Sequence, residues 1–173
     1  MTGDLLFDAC RMFKHACGFV DCAIFCERDK KPFSTAVTSH VVASIVNSAF
    51  ACEVFIKSLL VFYGESIESI KGHELKNLWK RYKTIDGNNA EQVEASVKEI
   101  FNSQNNNIFD ELLDNISNAF EYWRYIYEKK NGTLNVGFLK VFRDRLRELC
   151  CQTFYKKTWS DYMLEKGLLI VEE

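Results

Sequence analysis

Apolar residues recur at steps of three and four over most of the chain, which is the periodicity of helices that bury one face. The most apolar segment, residues 41–63, carries two such stripes on nearly opposite sides. The first contains Val41, Ile45, Ala49, Cys52, Ile56, Leu59 and Tyr63, and the second contains Phe50, Val54 and Val61. Because a helix that is apolar on two sides is buried on both, we predict that it is central in a helical bundle or part of a dimer interface.

Six helices are predicted from this periodicity and from the turn residues between them. The second begins at a cap provided by Ser34 or Thr35 and ends at 63. The others are expected over 5–27, 73–83, 90–102, 108–129 and 138–166, with a break or bend near Thr158. The predicted fold class is therefore all-α, an up-and-down helical bundle of four to six helices.

The composition limits the class of protein but does not name its function. Of 173 residues, 47% are hydrophobic, 27% are charged and one is Pro, so a single domain over 1–173 with a substantial core is expected. The net charge of −2 means that any affinity for nucleic acid must come from a local patch. The strip of Lys140, Arg143 and Arg147 is predicted to be a solvated face, since Asp144 and Glu148 are interleaved with it.

The expected location is the cytoplasm, because the first 15 residues lack the long apolar core of a signal peptide. The seven cysteines are an odd number without the spacing of a secreted disulfide framework, so reduced thiols are expected. Membrane association is not predicted, because Asn47, Glu53 and Lys57 interrupt the apolar segment.

Four cysteines, Cys10, Cys17, Cys22 and Cys26, lie on the first predicted helix. They lack the paired two-residue spacing of zinc sites, and one helix does not surround a tetrahedral ion. We therefore interpret them as small buried thiols and predict no metal and no cofactor.

Charged residues near the apolar faces are the candidates for chemistry. Glu53 and Lys57 lie four residues apart, in the order that favours an ion pair, and such a pair serves structure or function equally well. His73, at the start of the third predicted helix, suits a cap, a packing residue, a ligand or an acid–base group. Arg124 borders the apolar face of the fifth predicted helix, and Glu128 lies just beyond that face. The Arg124 side chain either covers the edge of the core or points into a groove between helices.

Three segments together resemble the HEPN superfamily of small helical bundles. They are NSAFACEVFIKSLL (47–60), KGHELKNLWKRY (71–82) and AFEYWRYIYE (119–128). The resemblance spans residues 5 to about 151, and it implies a bundle that forms a homodimer with a cleft between subunits. Many HEPN proteins are metal-independent ribonucleases of toxin–antitoxin, CRISPR or abortive-infection systems, and others are modules that bind RNA, nucleotides or partner proteins.

The ribonuclease motif of that superfamily is absent here. Active members carry an Arg, then four to six residues, then a His, which places a phosphate-binding cation and a proton-transfer group on one helix surface. Counting from Arg124, the corresponding positions hold Lys129, Lys130 and Asn131. The closest other pair, Arg11 and His15, is one residue short. The sequence therefore leaves open whether the chain is an enzyme.

Three functions are compatible with these residues. The first is a binding module with an inter-helix or inter-subunit cleft for RNA, a nucleotide or another anion, lined by Glu53, Lys57, His73, Arg124 and Glu128. The second is a divergent metal-independent ribonuclease or toxin, with His73 and Arg124 as its catalytic candidates. The third is a structural or protein-interaction dimer with a buried ion network of Glu53, Lys57, Arg124 and Glu128. The expected partners are a second copy, RNA or a nucleotide, and an antitoxin or nucleotidyltransferase.

Overall fold

All regular structure in the described part of the chain is helical. The fold is given by a computed structural model that describes residues 4–28, 36–102, 105–128 and 133–167. The α-helices are α1 Leu5–Arg28, α2 Ala36–Phe62, α3 Leu75–Ile85, α4 Gly87–Ile100, α5 Ile108–Ile116, α6 Ala119–Arg124, α7 Val136–Tyr155 and α8 Trp159–Glu165. Two 3-10 helices, Ile67–Ser69 and Ile126–Glu128, complete the described elements. The all-α class is confirmed, while the predicted cap at Ser34 or Thr35 lies outside the described residues.

The described residues contain eight α-helices, more than the four to six predicted, because two predicted helices are divided. The segment 108–129 breaks at Ser117, which is buried and bonded to the start of α3. The Ser117 carbonyl accepts from the Leu75 N–H, and its hydroxyl accepts from the Lys76 N–H, both at 3.0 Å. These bonds satisfy two N–H groups that every helix start leaves without an intrahelical partner. The break therefore ties α5 and α6 to α3.

The break expected near Thr158 is present between α7 and α8. Lys156 adopts a left-handed conformation with φ of 56°, which ends α7. Two residues later the Thr158 side chain accepts a hydrogen bond from the Asp161 N–H and caps α8. A left-handed residue followed by a new N-cap is the usual way to end one helix and begin another.

Helix α2 is the central element, as predicted, but Phe50 and Val54 of its second apolar stripe are only half-buried. It packs against α1, α3, α6 and α7. The inner members of the first stripe are buried: Ile45, Ala49, Cys52, Ile56 and Leu59. Its terminal members, Val41 and Tyr63, are exposed. The helix ends at Gly64, where a φ of 99° lets its N–H bond the Val61 carbonyl. A role for α2 in a dimer interface stays a prediction.

The segment His40–Phe62 is long and apolar enough to cross a membrane by length and composition. Most of its most apolar window, 67%, is buried within the fold. Core helices of soluble proteins meet the same criterion, so the segment is weak evidence for a membrane span.

Arg143 does not lie on the solvated strip that the sequence predicted. It is 2% exposed and joins three helices. Its Nη1 donates to the Ser48 hydroxyl of α2 at 2.9 Å and to the Glu27 carboxylate of α1 at 3.0 Å. Its Nε donates to the Asp144 carboxylate at 3.1 Å. The prediction was wrong because polar partners on α1 and α2 face α7 at this position. Those partners make burial of the guanidinium possible.

Candidate functional site

A buried carboxylate on α2 organises the candidate site. Glu53 is 2% exposed, and its Oε1 accepts a hydrogen bond from Lys57 Nζ at 2.7 Å. Both of its oxygens lie 3.0 Å from Nδ1 of His73. The pair predicted from the four-residue spacing is therefore present, and His73 joins it as a third member. The charge on a buried carboxylate is tolerated because these partners satisfy its oxygens.

His73 reaches Glu53 from the turn that precedes α3. Gly72 has a φ of 94°, a conformation that glycine adopts without strain, and α3 begins two residues after His73 at Leu75. The side chain is 46% exposed. A carboxylate that accepts from Lys57 offers only acceptor oxygens, so Nδ1 carries the hydrogen in this bond. The imidazole is thereby oriented, with Nε2 on the side of the ring away from Glu53.

A single aromatic ring connects His73 with Arg124. The imidazole centroid lies 5.6 Å from the centroid of Phe120 on α6. The Arg124 guanidinium carbon lies 5.0 Å from the same centroid and 4.6 Å from that of Tyr125. Arg124 Nη2 also donates to the Tyr125 hydroxyl at 2.8 Å. Both polar residues are exposed, so this surface presents an imidazole and a guanidinium around one ring. We call Lys57, His73, Phe120, Arg124 and Tyr125 the Phe120 face.

Glu128 is not one of the described partners of the buried carboxylate, which are Lys57 and His73. It is exposed, at the end of the 3-10 helix Ile126–Glu128, and it is adjacent to Tyr127. Partial desolvation and the nearby Glu128 carboxylate raise the pKa of Tyr127. Because Arg124 and Glu128 are both exposed, they are not members of a buried ion network. Of the four residues expected in that network, the structure brings together Glu53 and Lys57.

A groove between α1 and α2 adjoins the Phe120 face, and the sequence interpretation did not identify it. Its volume is about 490 Å³. Helix α1 contributes Asp8, Arg11, His15 and Phe19, and α2 contributes Phe50 and Val54. The centroid of Phe50 lies 4.6 Å from that of Phe19 and 4.7 Å from that of Phe120. The spacing of 8, 11, 15 and 19 along α1 is the available sequence signal, since it places polar and apolar side chains on one helix face.

The thiols and potential metal ligands do not form a second site in the described part of the chain. No group of three or more His, Cys, Asp and Glu side chains there is placed to hold a metal ion. Burial raises the pKa of the Cys17 thiol to about 12, so it stays protonated near neutral pH and is a poor nucleophile. Cys52, Cys150 and Cys151 are buried. The buried thiols expected on α1 were wrong for that helix, because Cys10, Cys17 and Cys26 are only half-buried and Cys22 is exposed.

Comparisons with known proteins provide no family for the chain. No family model, no curated protein and no solved structure matches it. The HEPN resemblance therefore depends on the three segments alone.

Proposed function

We propose that this protein is a binding module whose Phe120 face holds the phosphate groups of RNA or of a nucleotide. The observation that carries the proposal is that His73 and Arg124, from separate elements, are exposed and contact the same Phe120 ring. A guanidinium donates several hydrogen bonds in a fixed plane, which matches the oxygens of a phosphate. Lys57 adds a second permanent cation, anchored on Glu53.

Aromatic residues beside these cations supply the second requirement of a nucleic-acid surface. Tyr125 is exposed, and Tyr127, whose ring centroid lies 6.4 Å from that of Tyr125, is 77% exposed. Bases stack on such rings without sequence preference, while cations track the phosphates. Because the net charge of the chain is −2, a local surface of this kind is needed for affinity.

The proposal takes the biological setting from the HEPN resemblance. That setting is a cytoplasmic homodimer of HEPN-like subunits, acting beside an antitoxin or a nucleotidyltransferase. The all-helical fold is compatible with this setting. The proposed ligand site depends on the contacts of His73 and Arg124 with Phe120 and not on the family assignment.

The test is binding of a fluorescently labelled single-stranded RNA and of labelled ATP, measured by fluorescence anisotropy. Arg124→Gln is expected to weaken binding by about tenfold, the usual effect of losing one charge-assisted hydrogen-bonding group. Arg145→Gln is the matched control, because Arg145 is an exposed arginine on α7. Circular dichroism verifies that both variants fold. Equal affinities for the wild type and for Arg124→Gln would overturn the proposal.

A divergent ribonuclease is the second candidate, and the Glu53–His73 contact favours it. A carboxylate bonded to Nδ1 orients an imidazole so that Nε2 can exchange a proton with a substrate, as in hydrolytic triads. His73 would accept the proton of a ribose 2′-hydroxyl as its oxygen attacks the adjacent phosphorus and the bond from phosphorus to the 5′-oxygen breaks. The protonated imidazole would then give that proton to the leaving 5′-oxygen, and Arg124 would stabilise the charge that develops on the phosphate.

Incubation of the purified protein with total RNA in the presence of EDTA tests this candidate. The wild type is expected to fragment the RNA, and His73→Gln is expected to leave it intact. His40→Gln, in the second turn of α2, is the matched control and should behave like the wild type. Intact RNA with the wild type would end this candidate without affecting the binding proposal.

A further inference from the structure

We infer that the exposed side of α1 is an interface between two copies of this chain, in which the two α1 helices pair antiparallel about a two-fold axis near residue 16. The sequence suggested α2 as a possible dimer interface, and this surface places the interface on α1 instead. The order of charges along α1 identifies a second copy as the partner. The interface does not depend on ligand binding by the Phe120 face.

The solvent side of α1 carries a heptad pattern. Its residues follow one another at alternating steps of three and four, the repeat that aligns a helix with a partner helix, and all of them are exposed. We call them the α1 seam: Asp4, Phe7, Arg11, Lys14, Gly18, Asp21, Phe25 and Arg28. The opposite side of α1 is buried against α2 and α7. The seam is therefore the side of this helix that a second copy can reach.

The charges of the α1 seam complement their own reverse order. In an antiparallel pair, residues at equal distances on either side of residue 16 face each other. Arg11 then faces Asp21 of the second copy, and Asp4 faces Arg28 at the ends of the seam. A parallel pair would instead place Arg11 on Arg11 and Asp21 on Asp21. Because opposite charges favour association and like charges oppose it, the charge pattern selects the antiparallel pair.

Two exposed phenylalanines follow the same symmetry. Phe7 is 50% exposed and Phe25 is 75% exposed, and they lie nine residues to either side of residue 16. A single exposed apolar residue needs no partner, but these two face each other in the antiparallel pair, twice in each dimer. The Arg11 guanidinium carbon lies 6.0 Å from the centroid of Phe7, which holds it beside the position that Asp21 of the second copy would take.

Gly18 lies at the centre of the seam, in the interior of α1. A side chain at this position would meet nothing within the chain, so the fold itself does not require a glycine. Glycine weakens a helix interior relative to alanine, and it is common where another group approaches closely. In the antiparallel pair Gly18 faces Lys14 of the second copy. The missing side chain leaves room for the long lysine stem near the two-fold axis.

The size of the seam predicts a weak and reversible dimer. A single pair of helices buries less than the roughly 1,200 Å² of a standard interface, so a dissociation constant of about 1–100 µM is expected. Sedimentation velocity of the full chain at concentrations from about 1 to 200 µM covers this range. A wild type that remains monomeric at the highest concentration would overturn the inference.

Charge reversal tests which residues pair. Arg11→Asp and Asp21→Arg should each weaken self-association by at least about tenfold, because like charges then face each other twice in each dimer. An equimolar mixture of the two variants should dimerise like the wild type, since every facing pair is again opposite in charge. Lys80→Asp, at an exposed residue of α3, is the control and should dimerise normally. Circular dichroism verifies that each variant folds. Single variants that dimerise like the wild type would overturn the interface.

Cysteine cross-linking tests the direction of the pair. The background variant is Cys22→Ser, which removes an exposed thiol. In that background, a mixture of Phe7→Cys and Phe25→Cys should form a disulfide-linked heterodimer on mild oxidation, whereas neither variant alone should cross-link. Along α1 the two positions are about 27 Å apart, so like positions are far from each other in the antiparallel pair. Cross-linking of either variant with itself would overturn the antiparallel arrangement.

One further variant separates this interface from the proposed function. Arg124→Gln should dimerise like the wild type, because Arg124 lies on α6 and outside the seam. A dimer that is lost in Arg124→Gln and kept in Arg11→Asp would place the interface on the Phe120 face and overturn the inference. A wild type that dimerises through α1 but binds neither RNA nor ATP would overturn the proposed function alone.

Discussion

The Nδ1 atom of His73 lies 3.0 Å from both carboxylate oxygens of Glu53, across the boundary between α2 and the turn before α3. The same carboxylate accepts from Lys57 at 2.7 Å, one turn along α2. Glu53 is thus the common partner of two groups that reach the surface. It positions both of them, and its burial makes its replacement costly for the fold.

Replacement of the buried carboxylate tests this dual role. Glu53→Gln is expected to reduce the free energy of unfolding by about 3 kcal/mol, because it leaves the mostly buried Lys57 ammonium without its counter-charge. Urea denaturation measures the change. Lys57→Met combined with Glu53→Gln should recover part of the loss, since two neutral partners need no compensation. Additive effects of the two substitutions would contradict the coupling.

The buried guanidinium of α7 provides a second prediction. Arg143→Leu should destabilise the fold by about 1–3 kcal/mol, because the buried Ser48 hydroxyl loses its donor. The partly exposed carboxylates of Glu27 and Asp144 lose a shared cation but keep Lys140 and Arg147 as partners. Arg145→Leu is the matched control on the exposed side of α7, and surface substitutions usually change stability by about 0.5 kcal/mol or less. Thermal denaturation compares the two variants. Similar melting temperatures for the two variants would contradict the prediction that the Arg143 guanidinium stabilises the fold.

Acidification should weaken the same cluster through Glu27. Burial acts to raise the pKa of Glu27, but the hydrogen bond from Ser44 and the charges of Arg143 and Lys140 outweigh it and lower the pKa. In the unfolded chain the pKa of a glutamate is about 4.3. The folded state therefore binds a proton less readily, and the stabilisation is complete above the unfolded pKa and is lost as pH falls through the folded pKa.

The measurement is the free energy of unfolding between neutral pH and the acid range, for the wild type and Glu27→Gln. The wild type should lose stability below the unfolded glutamate pKa more steeply than the variant. Parallel curves would show that Glu27 does not contribute to acid sensitivity.

The central helix and one half of the candidate site were predictable from local periodicity. Two apolar stripes placed α2 in the core, and a four-residue spacing placed Lys57 on Glu53, because both relationships lie within a single helix. The helical offset of about 40° between Phe120 and Arg124 likewise explains why the guanidinium lies over that ring. Local rules of this kind hold wherever one helix provides both partners.

The remaining contacts depend on how separate elements meet, which periodicity does not describe. His73 reaches Glu53 only because the turn at Gly72 returns the chain toward α2. Arg143 was expected in solvent because its neighbours on α7 are charged, yet Glu27 and Ser48 from other helices surround it. The groove between α1 and α2 was missed for the same reason, since its walls come from two helices.

The salt dependence of RNA binding tests the charge on the Phe120 face. Each phosphate contact in a single strand contributes about 0.7 to the slope of log affinity against log salt concentration, because a counterion is released. Arg124→Gln should therefore reduce the slope by about 0.7. Arg145→Gln should leave it unchanged, since that residue lies on α7, outside the proposed surface.

An aromatic substitution separates stacking from charge on the same surface. Tyr127→Leu should weaken binding by about tenfold through loss of base stacking, with the salt slope unchanged, because no cation is removed. If Tyr127→Leu altered the slope and Arg124→Gln did not, the tyrosine would be positioning a different cation. The phosphate contact would then lie outside the Phe120 face, because within it the guanidinium of Arg124 is the most exposed permanent charge.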